Sequence, residues 1–345
     1  MIKGVGAGRR PTLADVAREA GVSLATASRA LNGRGGPSPE TRAVVVAAAS
    51  ALQFRPSGLA RSLRMRKTST VGFVVPDISS SFYSAVLLSA QKTLEESGYR
   101  VMLMNSERDL AEETEALRVL LNHPVDGLLV ATTGMDAEQF ERVVGGEVPC
   151  VFFDGIPAGA GVGSVTVMNE EGMRILVDHL VEHGHRRIAL LAGAQTETSG
   201  IERLRGFEAA LEGHGIEVRP DYVRDCDWTQ ESGRLQTLEL LSLPEPPTAV
   251  IGASDDLALG ALVAGRQQGL SLPDELAIVS FDDPYFGALL EPPLTALTSR
   301  PHDIGRLAAS HLISALRELP LAERDTRLSV TLVRRRSCGC DASSG

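Results

Sequence analysis

In this chain of 345 residues, Asp77, Asp154, Ser254-Asp255 and Asp282-Asp283 each follow the last apolar residue of a short run, VGFVVPD, CVFFD, AVIGASD and AIVSFDD. Runs that are apolar without alternation are strands covered on both faces. Polar side chains at their carboxyl ends collect where open α/β sheets bind ligands. Carboxylate oxygens accept hydrogen bonds from hydroxyls, so such a set suits a polyhydroxylated small molecule. Arg203, expected at the start of a helix after a loop over 194–201, adds a fork of donors, while Phe82 and Trp228, the single tryptophan, offer flat faces for a sugar ring. Asp255 and Asp283 are equally suited to capping or bracing loops.

Other chemistry fares less well. His179 and His183 stand at i and i+4, with His185 beyond, but no fourth ligand is near them in sequence. Cys338-Gly339-Cys340 offers two thiols where zinc needs four ligands. Each pair is incomplete by itself, so no metal and no cofactor is expected. The early GVGAG run has no strand before it and reads as an arm rather than a nucleotide loop. No nucleophile stands beside a base on a tight turn, and no phosphate loop accompanies the Asp-Asp pairs. Catalytic residues are not expected, and neither is an enzyme.

The elements that must place these residues follow from pattern. From Val71 the strand runs alternate with helical stretches at 82–97, 112–121 and 138–144. The rhythm restarts at RIALLAG, with helices at 203–214, 232–241 and 257–268. This repeat predicts two doubly wound parallel-sheet subdomains with the ligand in the cleft between them. Hydrophobic residues make up 43% of the chain and charged ones 23%, ample for buried cores, and no apolar run is long enough for a membrane span. The first residues lack the apolar stretch of a secretory signal, and four cysteines suit a reducing compartment, so a cytoplasmic location is expected.

Charge separates a head from this body. Residues 1–67 hold twelve Lys or Arg against three Asp or Glu, a net +9, and the rest hold 22 against 41, a net −19. Within the head, Thr12 and Asp15 open a helix with Leu13, Val16, Ala17 and Ala20 on one face. Gly21 ends it, Ser23 caps a second helix over 24–31, and Ser38-Pro39-Glu40 starts a third. Leu13, Val16, Val22, Ala27, Leu31, Val45 and Leu52 are its expected core. Two short helices across a tight glycine turn make a helix-turn-helix.

The segment TLADVAREAGVSLATASRALNG closely resembles the signature of the LacI/GalR (lactose-repressor) family of bacterial transcription regulators. The likeness continues through FRPSGLARSLRMRKTSTVGFVVPD, GHRRIALLAG, SDDLALGAL, SFDD and PPLT. It implies an N-terminal all-α helix-turn-helix domain over 1–55, a hinge helix and linker over 56–69, and an α/β periplasmic-binding-protein-like body over 70–345. The N-subdomain is expected at about 70–166 plus 293–322, the C-subdomain at about 167–292 plus 323–340. By the same resemblance the second helix enters the major groove. Leu24, Ala25 and Arg29 then hold reading positions, with Arg29 suited to guanine and the other two to apolar contact. Thr12, Ser23, Thr26, Ser28 and Asn32 would hold phosphates. Ala27 stands where the family more often has valine. Residues 56–66 match the hinge helix, whose Leu63 would wedge into the minor groove.

The resemblance assigns Asp282, Arg203, Asp154 and Ser254 to the effector site, with Asp77, Phe82 and Trp228 beside them. Ser254 replaces the family's common asparagine. The expected protein is a homodimeric repressor on pseudo-palindromic double-stranded DNA, controlled by a sugar or sugar-like effector that either releases or reinforces operator binding. The alternative is a cytosolic sugar-binding protein without specific DNA readout.

Overall fold

The computed structural model describes residues 11–32, 37–54, 68–123, 125–146, 148–157, 163–320 and 324–340. Leu63, the hinge helix expected over 56–66 and the side chain of Asn32 lie outside the described residues. The chain divides into a unit over 1–68 and a unit over 69–345.

The first unit carries three helices, α1 (Leu13–Glu19), α2 (Leu24–Asn32) and α3 (Pro39–Ala51). The amide of Thr12 donates to Asp15 Oδ2 at 2.9 Å while Thr12 Oγ1 caps the Asp15 amide, a reciprocal cap that starts α1. Gly21 takes φ +62°, and Val22 N–H closes the turn on Ala17 O at 3.0 Å. Val16, Ala17, Ala27, Ala30, Val45, Ala48 and Ala49 are buried between the helices. Leu13, Val22, Leu31 and Leu52 close the edges. The small side chains at this centre let three short helices cross closely.

The second unit holds two six-stranded sheets of the same order. In the first, β1 (Thr70–Val75) lies between β2 (Arg100–Asn105) and β3 (Gly127–Val130), followed by β4 (Cys150–Phe153), β5 (Gly163–Val167) and β11 (Asp325–Leu328). In the second, β6 (Ile188–Ala192) lies between β7 (Val223–Asp225) and β8 (Ala249–Gly252), followed by β9 (Ala277–Ser280), β10 (Thr295–Thr298) and β12 (Thr331–Val333). Every pairing is parallel except β10 with β12. The expected repeat is therefore present, down to the position at which the strand order reverses.

Helices α4 (Ser81–Glu96), α5 (Leu110–Asn122), α6 (Ala137–Val144) and α11 (Pro301–Leu316) cover the first sheet. The second is covered by α7 (Asn169–Glu182), α8 (Thr198–Gly213), α9 (Gln230–Leu241) and α10 (Asp255–Gln267). Central strands such as β1, β3, β8 and β9 are buried almost throughout, whereas edge strand β2 is largely not. Among the described residues no helix is long and apolar enough to cross a membrane.

Three differences from the sequence reading bear on function. Residues 295–298 pair with β9 in the second sheet, and 325–328 pair with β5 in the first. This reverses the assignment of 293–298 to the N-subdomain and of 325–328 to the C-subdomain. The chain thus crosses between the halves after β5, after β10 and after β11. Helix α8 begins at Thr198, so Arg203 sits in its second turn instead of at its start. Thr198-Ser199-Gly200 has loop composition, yet Gly200 is there because a Cβ would lie 2.2 Å from Ala194 O. Last, the His179/His183 and Cys338/Cys340 pairs, each read as incomplete, meet at the end of α7.

Helices α4 and α11 approach so closely that a Cβ on Gly305 would lie 2.1 Å from Val86 O and 2.2 Å from Ser89 Oγ. Backbone cannot yield as a flexible side chain can. Gly305→Ala is therefore expected to destabilise the body by about 1–3 kcal/mol, read as a lower urea midpoint. An unchanged midpoint would mean that the two helices separate freely.

Candidate functional site

The head presents one row of side chains unused by its core. Leu24 is 54% exposed, and Ala25 and Arg29 are exposed with it. Arg29 Nε donates to Ala25 O at 3.3 Å, which lays the guanidinium along the helix next to the other two. Ser23 Oγ accepts from Thr26 N–H at 3.1 Å and lies 2.8 Å from Thr26 Oγ1. Ser23 and Thr12 thus cap helix starts, where backbone N–H groups also favour phosphate. Ser28, expected among the phosphate contacts, is buried toward the head's core at 8% exposure. The structure does not bring it to the exposed row.

In the body, the loops at the carboxyl ends of the strands of both sheets converge on one cleft. It encloses about 400 Å3 of atom-free space, its open mouth included. Six of the seven expected effector residues line it, namely Phe82, Asp154, Arg203, Trp228, Ser254 and Asp282. Asp77 does not. It accepts from the Ser79 amide at 2.9 Å and hydroxyl at 2.6 Å, and it stands 3.7 Å from Arg108, which does line the cleft. Asp77 is a brace one residue removed from the site.

Arg203 is the best-anchored of these groups. Its Nε donates to Asn169 Oδ1 at 2.9 Å, and its Nη1 donates to Ala253 O and reaches Asp282 Oδ2 at 3.5 Å. The guanidinium lies 3.7 Å over the Phe281 ring and 5.8 Å from that of Trp228. Asp282 also accepts from Ser299 Oγ at 2.6 Å. Trp228 takes φ +68° and lays its ring against Gly193, where any Cβ would overlap it at 1.9 Å. Ser254 caps α10 through the Leu257 amide, and Asp283 forms a two-pronged pair with Arg335 away from the ligand space.

Sequence reasoning missed Tyr83, Arg108, Glu197 and Asp256, all on the cleft. Tyr83 O–H donates to Asp154 Oδ2 at 2.7 Å, and burial with that neighbour raises its pKa well above the ordinary value. Arg108 holds φ +58° in the loop after β2, a conformation that no motif announces. Its Nε is buried without a hydrogen-bond partner, a donor left for a ligand or water. Glu197 precedes α8 and is pushed up to about 7, chiefly by burial and against the pull of Arg108. Trp228 Nε1 lies near enough to Glu197 to oppose that shift, but outside good hydrogen-bond geometry. Burial likewise lifts Asp282 to about 6, opposed by Arg203. Asp255 and Asp256 are also raised, mainly by burial. Only the position of Tyr83, beside Phe82 in the first turn after β1, carried a signal that could have found it.

Glu197 has an ordinary pKa of 4.5 and holds its proton to about 7 in the folded chain. The folded state then binds more protons between these values, so stability falls as pH rises through that window. Glu197→Gln is expected to gain stability over the wild type from about pH 4.5 upward, levelling off above about pH 7 at no more than about 3 kcal/mol. Urea midpoints across pH read this directly. Parallel curves would show that Glu197 ionises normally.

Known proteins share this architecture. Residues 12–57 match the bacterial regulatory proteins of the lacI family, and residues 177–338 match the periplasmic binding protein-like domain. Catabolite control protein A of Priestia megaterium is 33% identical over 298 residues, which cover 86% of this chain and 90% of that protein. The lac repressor dimer, solved on its operator with the anti-inducer ONPF, is similar with a TM-score of 0.85 at 29% identity, over 96% of this chain and 99% of that one. The regulator CelR, solved with cellobiose, is similar with a TM-score of 0.72 at 33% identity, over 95% and 100%. A helix-turn-helix head, a two-sheet body with a ligand cleft and a relative matched over most of its length lead to one conclusion: the chain belongs to the LacI family of bacterial transcriptional regulators.

Proposed function

We propose that this regulator works in the cytoplasm as a homodimeric repressor on a pseudo-palindromic operator, and that a neutral polyhydroxylated effector, a sugar, sets its DNA affinity from the cleft. The charge of the cleft carries the effector class. Asp154, Glu197, Asp255, Asp256 and Asp282 face Arg108 and Arg203, five acids to two bases. An anionic effector would meet that excess in a poorly hydrated space. Sugar hydroxyls can donate to a carboxylate or accept from a carboxylic acid, so they suit groups poised between the two states. The relative solved with cellobiose supports the same class.

The exposed row on α2 supports direct reading of bases, and the relative solved as a dimer on its operator supports two heads on two half-sites. Effector and operator binding are then linked reciprocally, typically by ~1–3 kcal/mol. Selection from random duplexes with the full chain is expected to recover a palindrome with half-sites about one helical turn apart. Arg29→Ala should lose about 1–3 kcal/mol of discrimination at one symmetric position. Equal losses on specific and random DNA would make Arg29 a phosphate contact, and no recovered motif would sink the repressor reading in favour of a sugar-binding protein without DNA readout.

The lone tryptophan makes the cleft self-reporting. Binding of a cognate sugar is expected to change Trp228 emission, and Asp282→Asn should weaken that response by about tenfold or more, the worth of a hydrogen bond to a charged group. An unchanged sugar affinity in the variant would remove Asp282 from the effector site.

A further inference from the structure

We propose that His179, His183, Cys338 and Cys340 form a tetrahedral zinc site that fastens the segment after β12 to the end of α7. The four ligand atoms all lie within 4.8 Å of one another. His179 Nε2 is 3.2 Å from Cys338 Sγ and 3.6 Å from Cys340 Sγ. His183 Nε2 is 3.3 Å from Cys340 Sγ, and the two sulfurs are 3.3 Å apart. Zinc bonds of about 2.3 Å to sulfur and 2.0–2.1 Å to nitrogen put tetrahedral ligands roughly 3.3–3.8 Å apart. Four of the six separations sit at or just inside that range, and all six stay within 4.8 Å.

The supporting structure points the same way. The i, i+4 spacing sets both imidazoles on one side of the helix end. Between the thiols, Gly339 takes φ +93°, a turn that brings both sulfurs to those rings. His183 Nδ1 lies 2.9 Å from His179 O, so its protonated nitrogen faces the carbonyl and its Nε2 lone pair faces the sulfurs. His179 is buried, and its Nδ1 has no partner among the described residues, so the two sulfurs are the polar contacts of its ring. His185 is not part of the cluster; its Nδ1 meets Thr248 Oγ1 at 3.0 Å.

Charge balance favours occupancy. Both thiols give up their protons to solvent on binding, and the dication with two thiolates is neutral. This suits a site in which Cys338 is 1% exposed and Arg334 stands close by. A disulfide between the cysteines is the competing state of the same sulfurs, but at 3.3 Å they are not bonded.

The test uses the full chain without an affinity tag, purified from zinc-supplemented cells. Elemental analysis is expected to find about one zinc per chain, the stoichiometry of a closed four-ligand site. Cys340→Ser and His183→Ala, both toward the surface of the cluster, should retain native circular dichroism and lose the metal. Cobalt(II) added to metal-free wild type should give the intense visible bands of tetrahedral coordination and a thiolate charge-transfer band, a readout that depends on no variant. Wild type that carries no zinc and gives no such bands while its thiols are reduced would overturn the site. So would a Cys338–Cys340 disulfide in protein from a reducing cytosol, or zinc retained in the Cys338→Ser/Cys340→Ser chain.

Discussion

A guanidinium taken out of water needs a partner for its donors, and Arg203, 3% exposed, meets that demand with groups from several parts of the body. Asn169 opens α7, Ala253 follows β8, and Asp282 and Phe281 follow β9. The same network touches each of the three crossings between the halves. Asn169 stands just past the first. Ser299, which donates to Asp282, lies at the second. Glu202 accepts from Asn169 at 2.8 Å and from Arg327, beside the third, at 2.8 Å. A ligand that competes for Asp282 or Arg203 therefore pulls on hydrogen bonds rooted at all three hinges. Breaking such a buried pair from one side costs roughly 3–5 kcal/mol, larger than the coupling of ~1–3 kcal/mol that an allosteric protein typically uses. The cleft therefore has energy enough to bias the angle between its halves without being dismantled.

The surrounding carboxylates add a second control. Glu197 and Asp282, lifted to about 7 and about 6, exchange protons close to physiological pH. They can meet a hydroxyl as acceptor or as donor, whichever its orientation demands. Beside the Arg327–Glu202 pair, hydroxyls also join the halves directly: Ser81 Oγ donates to Asp255 at 2.8 Å, and Thr198 Oγ1 donates to Ile156 O at 2.8 Å. Hydroxyl contacts of this kind are worth about 1 kcal/mol each.

Much of this was legible in the sequence because it rests on periodicity. Apolar runs ending in Asp or Ser announced the strand ends, and with them Asp154, Ser254 and Asp282. The glycine turn and its caps announced the head, whose expected core residues all pack together. What escaped depended on backbone torsion or long-range pairing. Arg108 reaches the cleft through a positive φ, and Glu197 becomes unusual only when burial surrounds it. Asp77 looked equivalent to Asp154 and was drawn instead into a turn by Ser79. The exchange of β10 and β11 between sheets leaves no local trace, since a four-residue strand reads alike in either. For the same reason, two metal-ligand halves about 160 positions apart remained separate until the fold joined them.

The late strands carry a further consequence. The first sheet is finished by β11 and the second by β12, both drawn from residues 325–333 near the end of the described chain. Until those residues leave the ribosome, β5 and β10 each present an unsatisfied backbone edge to the crowded cell. Exposed edges of this kind recruit other strands. Loss of residues 325–333 would open such an edge in both lobes at once.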